Sequence, residues 1–288
     1  MKRSKKPTIT NMQTVCFRIN RRCNLSCPFC QAPSTGIDEM TRSQIDLILN
    51  TLRMMGLRSV KITGGEPLLR DDLVSIMQTC TDLDIATTVC TNAILVNHNF
   101  VDLFLKYRCQ LKVSLHGLGN RHNQLVGRNV ADKVMKSIEL LTSSKVKTSI
   151  HSIIHYDDMS SLKALLDWSC CIGITKVTLI PMVCRGRGKE WICNKKDYLP
   201  SGEQIREMAN KLRSIFGSYI DIRVLDLDKK PYYVIEPDGS FILEYPMERH
   251  DIFISNLITD GLYNKMLFAT SNQEISKKYL NILSNILT

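Results

Sequence analysis

Along the first two thirds of the chain, short runs of β-branched and apolar residues alternate with segments whose apolar positions recur at three and four residues. Val15–Ile19 reads as a strand. A cysteine-bearing loop follows, then a helix from about Thr41 to Met55 with Ile45, Ile48, Leu49 and Leu52 on one face. Thr41 suits its N-cap and Gly56 its stop. The next unit is Ser59–Thr63, a Gly-Gly turn, and a helix beginning near Asp71 and Asp72, where acidic side chains suit the N-terminal dipole. The same rhythm continues as Ile85–Thr91 with Asn99–Lys106, Leu111–Leu115 with Ala131–Thr142, and Val146–Ile154 with Ser160–Cys171. It closes with Lys176–Ile180, stopped by Pro181.

Six β-then-α units predict a parallel sheet. They are too few for a closed eight-stranded barrel and suit either a partly open barrel or a doubly wound sheet. After Pro181 the pattern changes. A polar loop, Val183–Asp197, leads to a helix at about Glu203–Phe216 and to β runs at Ile220–Leu225, Tyr232–Ile235 and Phe241–Leu243. Pro237-Asp238-Gly239-Ser240 marks a hairpin turn. The expected division is a basic tail at 1–14, a core at 15–182 and a C-terminal extension at 183–288.

Composition narrows the class. With 44% hydrophobic and 23% charged residues in 288, the chain is globular rather than disordered. No apolar stretch is long enough to cross a membrane, and Met1–Lys6 is basic with no apolar run behind it, unlike a signal peptide. The expectation is a soluble, cytoplasmic protein with no membrane partner. Eleven cysteines in such a chain favour reduced thiols or a metal site over a disulfide framework. A net charge of +10 passes a first screen for nucleic-acid binding. The basic residues are nevertheless spread along the chain without a finger or helix-turn-helix pattern, so nucleic acid is not the expected partner.

The chemistry-bearing residues share one location. Cys23-x3-Cys27-x2-Cys30 follows the first strand, Gly64-Gly65-Glu66-Pro67 the second, and Thr91-Asn92 ends the third. Ser114, His116 and Gly117 end the fourth, and Pro181 the sixth. Ligands bind at the carboxyl ends of strands in barrels and open sheets alike. Three close thiolates hold a soft metal or a cluster. Zinc would want a fourth protein ligand, which is not apparent nearby, whereas a [4Fe–4S] cluster would keep one iron open.

Cys23-Asn-Leu-Ser-Cys27-Pro-Phe29-Cys30 resembles the signature of the radical S-adenosylmethionine (SAM) superfamily, and Gly64-Gly65-Glu66-Pro67 resembles that family's GGE motif. The resemblance covers Val15 to Pro181. It implies an α/β fold, a partial (β/α)6 TIM-like barrel, here with a small α+β C-terminal extension. It implies that Cys23, Cys27 and Cys30 bind three irons of one [4Fe–4S] cluster while the fourth iron chelates SAM. One electron then cleaves SAM to a 5′-deoxyadenosyl radical that abstracts a substrate hydrogen. An electron donor such as flavodoxin or ferredoxin is implied too.

Gly64, Gly65, Glu66 and Pro67 would border the methionine moiety, and Phe29 would meet the adenine. Thr91, Asn92 and Ser114 would bond the ribose or carboxylate, and Arg128 would pair with the carboxylate. His116, His151 and His155 read as ordinary structural histidines. Arg185, Arg187 and Lys189 are candidates for an anionic group on the substrate.

The C-terminal third resembles the extension of the branch containing the molybdenum-cofactor cyclase and SPASM-type peptide-modifying enzymes. In Asp238-Gly239-Ser-Phe-Ile-Leu-Glu244, Glu244 stands where a cluster-ligating cysteine would be, and no cysteine follows Cys193. One cluster is therefore expected, with the hairpin kept as a lid or wall. The implied substrate is a small metabolite, a natural-product intermediate or a peptide residue. No hydrogen donor is assigned; Cys16, Cys90, Cys109, Cys170, Cys184 and Tyr198 have only the chemistry for it. Two rivals are a viperin-like nucleoside triphosphate dehydratase, from Asn123–Arg128 and Tyr232–Gly239, and a non-catalytic iron–sulfur or zinc protein that binds RNA.

Overall fold

The computed structural model describes residues 12–33, 36, 39–154, 159–194, 201–225, 232–245 and 247–259. The tail at Met1–Lys6, His155 and Tyr198 lie outside the described residues, as does the extension from 260 onward. The expected alternation is present. It runs β1 (Thr14–Asn20), α1 (Arg42–Met54), β2 (Ser59–Gly64), α2 (Leu73–Asp82), β3 (Ala86–Thr91), α3 (His98–Lys106) and β4 (Gln110–Ser114). Next come α4 (Asn120–Val126), α5 (Ala131–Ser143), β5 (Thr148–Ile153), α6 (Met159–Cys171) and β6 (Lys176–Ile180). The C-terminal part adds α7 (Arg187–Asn194), α8 (Gly202–Phe216), β7 (Asp221–Val224), β8 (Tyr232–Ile235), β9 (Ser240–Glu244) and β10 (Ile252–Asn256).

Local chemistry explains the boundaries. Thr41 caps α1 through a reciprocal box with Gln44, and Ser201 does the same for α8 with Gln204. Asp72 precedes α2 but makes no side-chain cap; its carboxylate instead takes the Arg70 guanidinium at 2.5 and 3.1 Å.

Among the described residues the strands form one ten-stranded sheet, ordered β10-β9-β8-β1-β2-β3-β4-β5-β6-β7, and it does not close on itself. All neighbours from β8 through β7 are parallel, while β9 and β10 run antiparallel to theirs. This is an α/β partial barrel. Arg185, beyond β6, reaches Glu244 at the end of β9 at 3.2 Å, although β6 and β9 lie towards opposite ends of the strand order. Only a strongly curved sheet permits that contact.

The strands present two faces. Val15, Phe17, Ile19, Val60 and Ile62 are buried in the core that includes Ile45, Ile48 and Leu49 of α1. The alternate positions, Cys16, Arg18 and Lys61 among them, face the barrel interior.

Several elements depart from the sequence reading. Within the stretch read as a polar loop, Arg187–Asn194 is helical, and α4 forms in the Gly- and Asn-rich segment after β4. Both are short and lack a long apolar stripe, so periodicity does not announce them. β7 pairs in parallel with β6 and prolongs the parallel run, and β8 joins β1, far away in sequence.

Candidate active site

The loop after β1 carries the three thiols. All are half-buried, and Cys23 and Cys27 pack against the apolar core. Burial pushes the Cys27 thiol up to about 12, with the neighbouring Cys30 and Cys23 adding to the effect. Burial also raises Cys23, against a hydrogen bond from the Leu25 N–H to its sulfur at 3.4 Å. The positive charge of Arg187 opposes the rise at both cysteines. The buried Nε of Arg187 has no hydrogen-bond partner among the described residues.

The stretch after β6 is built against this loop. The Arg187 N–H donates to the Cys30 carbonyl at 3.0 Å. Gly186 has φ +52°, and a Cβ there would meet the Cys30 carbonyl at 2.6 Å. Only glycine lets the two backbones lie so close.

The GGE turn is clamped to the start of the same loop. Gly65 N–H donates to the Asn20 carbonyl at 2.9 Å and Glu66 N–H to the Arg22 carbonyl at 2.7 Å. A Cβ on Gly65 would sit 2.0 Å from the Arg22 carbonyl oxygen. Gly64, at φ +143°, would place one 2.2 Å from that of Asn20. The atoms that demand glycine here belong to the protein's own backbone, at Asn20 and Arg22 just before Cys23.

Glu66 is fully buried. Its carboxylate accepts from Thr91 Oγ1 at 2.6 Å, the Asn92 N–H at 2.8 Å and the Leu68 N–H at 3.1 Å. Burial raises its pKa, and those three donors offset part of the rise. Asn92 Nδ2 in turn donates to Asn24 Oδ1 at 2.7 Å, and Arg128 donates to the Asn24 carbonyl at 2.7 Å. Glu66, Thr91, Asn92 and Arg128 thus form one chain of bonds into the cysteine loop. Pro67 starts the 3-10 turn that Glu66 caps. Phe29 is buried edge-on against His116, ring centroids 5.0 Å apart. Ser114, half-buried at the end of β4, lies opposite His151 in the sheet.

His116 is neutral, held at about 3 by burial and by the neighbouring His122, His151 and Arg121. Its Nδ1 accepts the Ile153 N–H at 3.2 Å, as a structural histidine does. His151 differs, because its buried Nε2 has no partner among the described residues.

Below this rim the interior is basic. Lys61 on β2, Lys112 on β4 and Lys176 at the start of β6 all bear on His151, which burial and these lysines hold at about 3. Burial lowers Lys112, and Lys61 and Lys176 lower it further against partial offset by Cys90 and Cys16. Burial raises the Cys16 thiol to about 12. Sequence reading passed over the lysines although the signal was present. Lys61 stands between buried Val60 and Ile62, and Lys112 between buried Leu111 and Val113. That alternation marks a second strand face, either solvent or lumen.

Arg185 is not free. It pairs with Glu244 and, at 2.8 Å, with Asp251, and Glu244 also takes Arg18 at 2.6 Å. Glu236 takes both Arg18 and Arg21.

The profile of the Radical SAM superfamily matches residues 17–169, more than half of the chain. The chain belongs to the radical SAM superfamily. Membership brings that family's cofactors, a [4Fe–4S] cluster and SAM, and makes the protein an enzyme of this class.

Among curated relatives, the radical SAM chain is 21% identical over 229 residues to the PqqA peptide cyclase of Granulibacter bethesdensis, covering 76% of this chain and 59% of that one. It is 28% identical over 196 residues to a probable GTP 3′,8-cyclase of Sulfurisphaera tokodaii, covering 66% and 62%. It therefore spans about 60% of the length of these two relatives.

Among solved structures, Streptococcus suis SuiB bound to the precursor peptide SuiA gives a TM-score of 0.75 at 17% identity, covering 91% of this chain and 65% of that one. anSMEcpe with bound AdoMet and Cp18Cys peptide gives 0.70 at 15%, covering 92% and 81%. At such identities the likeness is one of fold.

The donor set fits the cluster. Among the described residues no three His, Cys, Asp or Glu side chains converge on a single-ion site. A cubane takes one thiolate per iron and does not require that convergence. A bound cationic cluster would also reverse the rise at Cys23 and Cys27 by stabilising their thiolates.

Proposed function

We propose that the chain holds one [4Fe–4S] cluster on Cys23, Cys27 and Cys30 and acts on a small substrate lodged in the barrel interior. When bound, the cluster and SAM supply a 5′-deoxyadenosyl radical able to take a hydrogen atom from that substrate. The chain itself contributes placement. Gly64, Gly65, Glu66 and Pro67 fix the rim beside the cysteine loop, and Glu66 ties the ends of β2 and β3 together. Phe29, Thr91, Asn92, Ser114 and Arg128 border the space for SAM, and the curved sheet shields the substrate from water.

We assign 15–182 to the radical SAM core and 183–288 to an extension without an auxiliary cluster. In support, Glu244 stands at the hairpin position in question and is engaged by Arg18 and Arg185. The tail at 1–14 is assigned no role in the chemistry. Electrons would come from a flavodoxin or ferredoxin, and the many free cysteines suit a reducing, cytoplasmic setting. Among the described residues no helix is long and apolar enough to cross a membrane.

The observation that carries this reading is the junction where the GGE turn, the three thiols and the Gly186–Arg187 backbone are bonded into one unit above a polar interior. A peptide residue is the second reading, favoured by the name of the Granulibacter relative. The test is anaerobic reconstitution with iron and sulfide, reduction, addition of SAM, and detection of 5′-deoxyadenosine. Formation in the wild type and loss in Cys27→Ala is expected. Zinc in place of the cluster, or equal product from Cys27→Ala, would refute the reading.

A further inference from the structure

Three lysines inside one barrel need an explanation. Lys61, Lys112 and Lys176 come from alternate strands, the arrangement by which parallel barrels build interior layers. None has an ion pair among the described residues. No carboxylate figures among the charges that act on Lys112 or His151. All three are half-buried, Lys61 Nζ lies 5.2 Å from the Tyr232 ring centroid, and ammonium groups partly withdrawn from water with no carboxylate partner favour an anionic ligand. The same barrel shows what compensation looks like, because Arg18 on β1 is held by both Glu236 and Glu244.

Two uncommitted polar groups accompany the lysines. Ser114 makes no side-chain hydrogen bond among the described residues, and the buried His151 Nε2 is without a partner. Ser114 ends β4 and His151 lies opposite it on β5, both nearer the thiol-bearing rim than Lys176 at the start of β6.

We propose that Lys61, Lys112 and Lys176 form an anion subsite inside the barrel that receives a phosphate or oligophosphate group of the substrate, with Ser114 and His151 towards the reacting end. This rests on the reading that the substrate lies in the barrel. Three ammonium groups offer many donors in rotatable geometry and about three positive charges. That suits a phosphoryl group, with its three acceptor oxygens and nearly two negative charges, better than a single carboxylate. Lysine serves as a point charge for phosphate without the planar match arginine needs. The site also replaces the sequence-based candidate Arg185, whose guanidinium is occupied by Glu244 and Asp251.

Titration calorimetry of the reconstituted full-length chain with inorganic tripolyphosphate, at fixed ionic strength, tests the subsite. One site per chain is expected. Lys61→Met, Lys112→Met and Lys176→Met should each weaken it at least about tenfold, while Lys112→Arg retains it. Lys133→Met, on the exposed side of α5, should leave binding unchanged. Lys112→Met should melt no lower than the wild type, since it removes mutual repulsion, whereas a lysine kept for structure would lower the melting temperature. The readout does not depend on SAM cleavage. Tripolyphosphate binding without 5′-deoxyadenosine formation would refute the proposed function and leave the subsite standing. SAM cleavage with no saturable binding, or with binding indifferent to all three Lys→Met changes, would overturn the subsite.

Discussion

Arg18 and Lys112 are both cations on inward positions of one curved sheet, and their surroundings are opposite. Burial by itself would lower the Arg18 pKa, but Glu244 and Glu236 outweigh it and hold the guanidinium above its usual value. Lys112 is lowered by burial, and its charged neighbours Lys61 and Lys176 push the same way. The Arg18 network joins β1 to the β8–β9 hairpin and, through Arg185, to the stretch after β6. It braces the open barrel across its interior. The lysines carry no ion pair among the described residues, and of the three only Lys61 has an aromatic partner, the Tyr232 ring 5.2 Å from its Nζ. A satisfied buried charge is architecture, and an unsatisfied one is capacity for a ligand.

The sharpest way to break that contrast is Glu244→Ala. It leaves Arg18 with one carboxylate and removes a partner of Arg185, so a loss of about 3 kcal/mol or more is expected in urea unfolding. A loss no larger than a surface change would mean the network is solvated. Gly65→Ala comes next. Its new methyl would collide with the Arg22 carbonyl, costing about 1–3 kcal/mol, and the displaced backbone adjoins Cys23. Lower iron content after reconstitution is expected alongside the lower stability; full iron content would separate the turn from the cluster loop.

A pH series probes the lysine side of the contrast through His151, together with the neighbouring His116 and His122. His116 and His151 are held at about 3 and His122 at about 4, each mainly by burial, against 6.5 for an ordinary histidine. The unfolded chain binds protons first as pH falls, so stability from these residues is intact above about 6.5 and is lost on the way down towards 3. Unfolding free energies at pH 7 and pH 5 should differ in that direction. Their equality would show the rings to be solvated. The smallest effect is that of Lys112→Met, expected to range from neutral to about 1 kcal/mol stabilising in the ligand-free protein.

Much of this was readable from the chain. Lys176–Ile180 and Tyr232–Ile235 are strands with the bounds that their residues suggest, and the Thr41 cap was visible from its position before an apolar stripe. The cysteine spacing and the GGE turn were legible because both are local in sequence. The parallel pairing of β8 with β1 was not, because nothing local records a partner some two hundred residues away. Helices α4 and α7 were missed for a related reason. Short polar segments take their conformation from what they touch, as Arg187 does at the Cys30 carbonyl. Glu244 was noticed for the cysteine it replaces, while its arginine partners lie on other strands. The lysines were lost because a lumen-facing strand face and a water-facing one have the same period.

The central claim is a single cluster that keeps one iron open to SAM. Electron paramagnetic resonance of the reduced, reconstituted protein tests it most directly. The account predicts one [4Fe–4S]⁺ signal of at most one spin per chain, altered when SAM is added and absent from Cys27→Ala. A signal indifferent to SAM, or two distinct clusters in one chain, would contradict it.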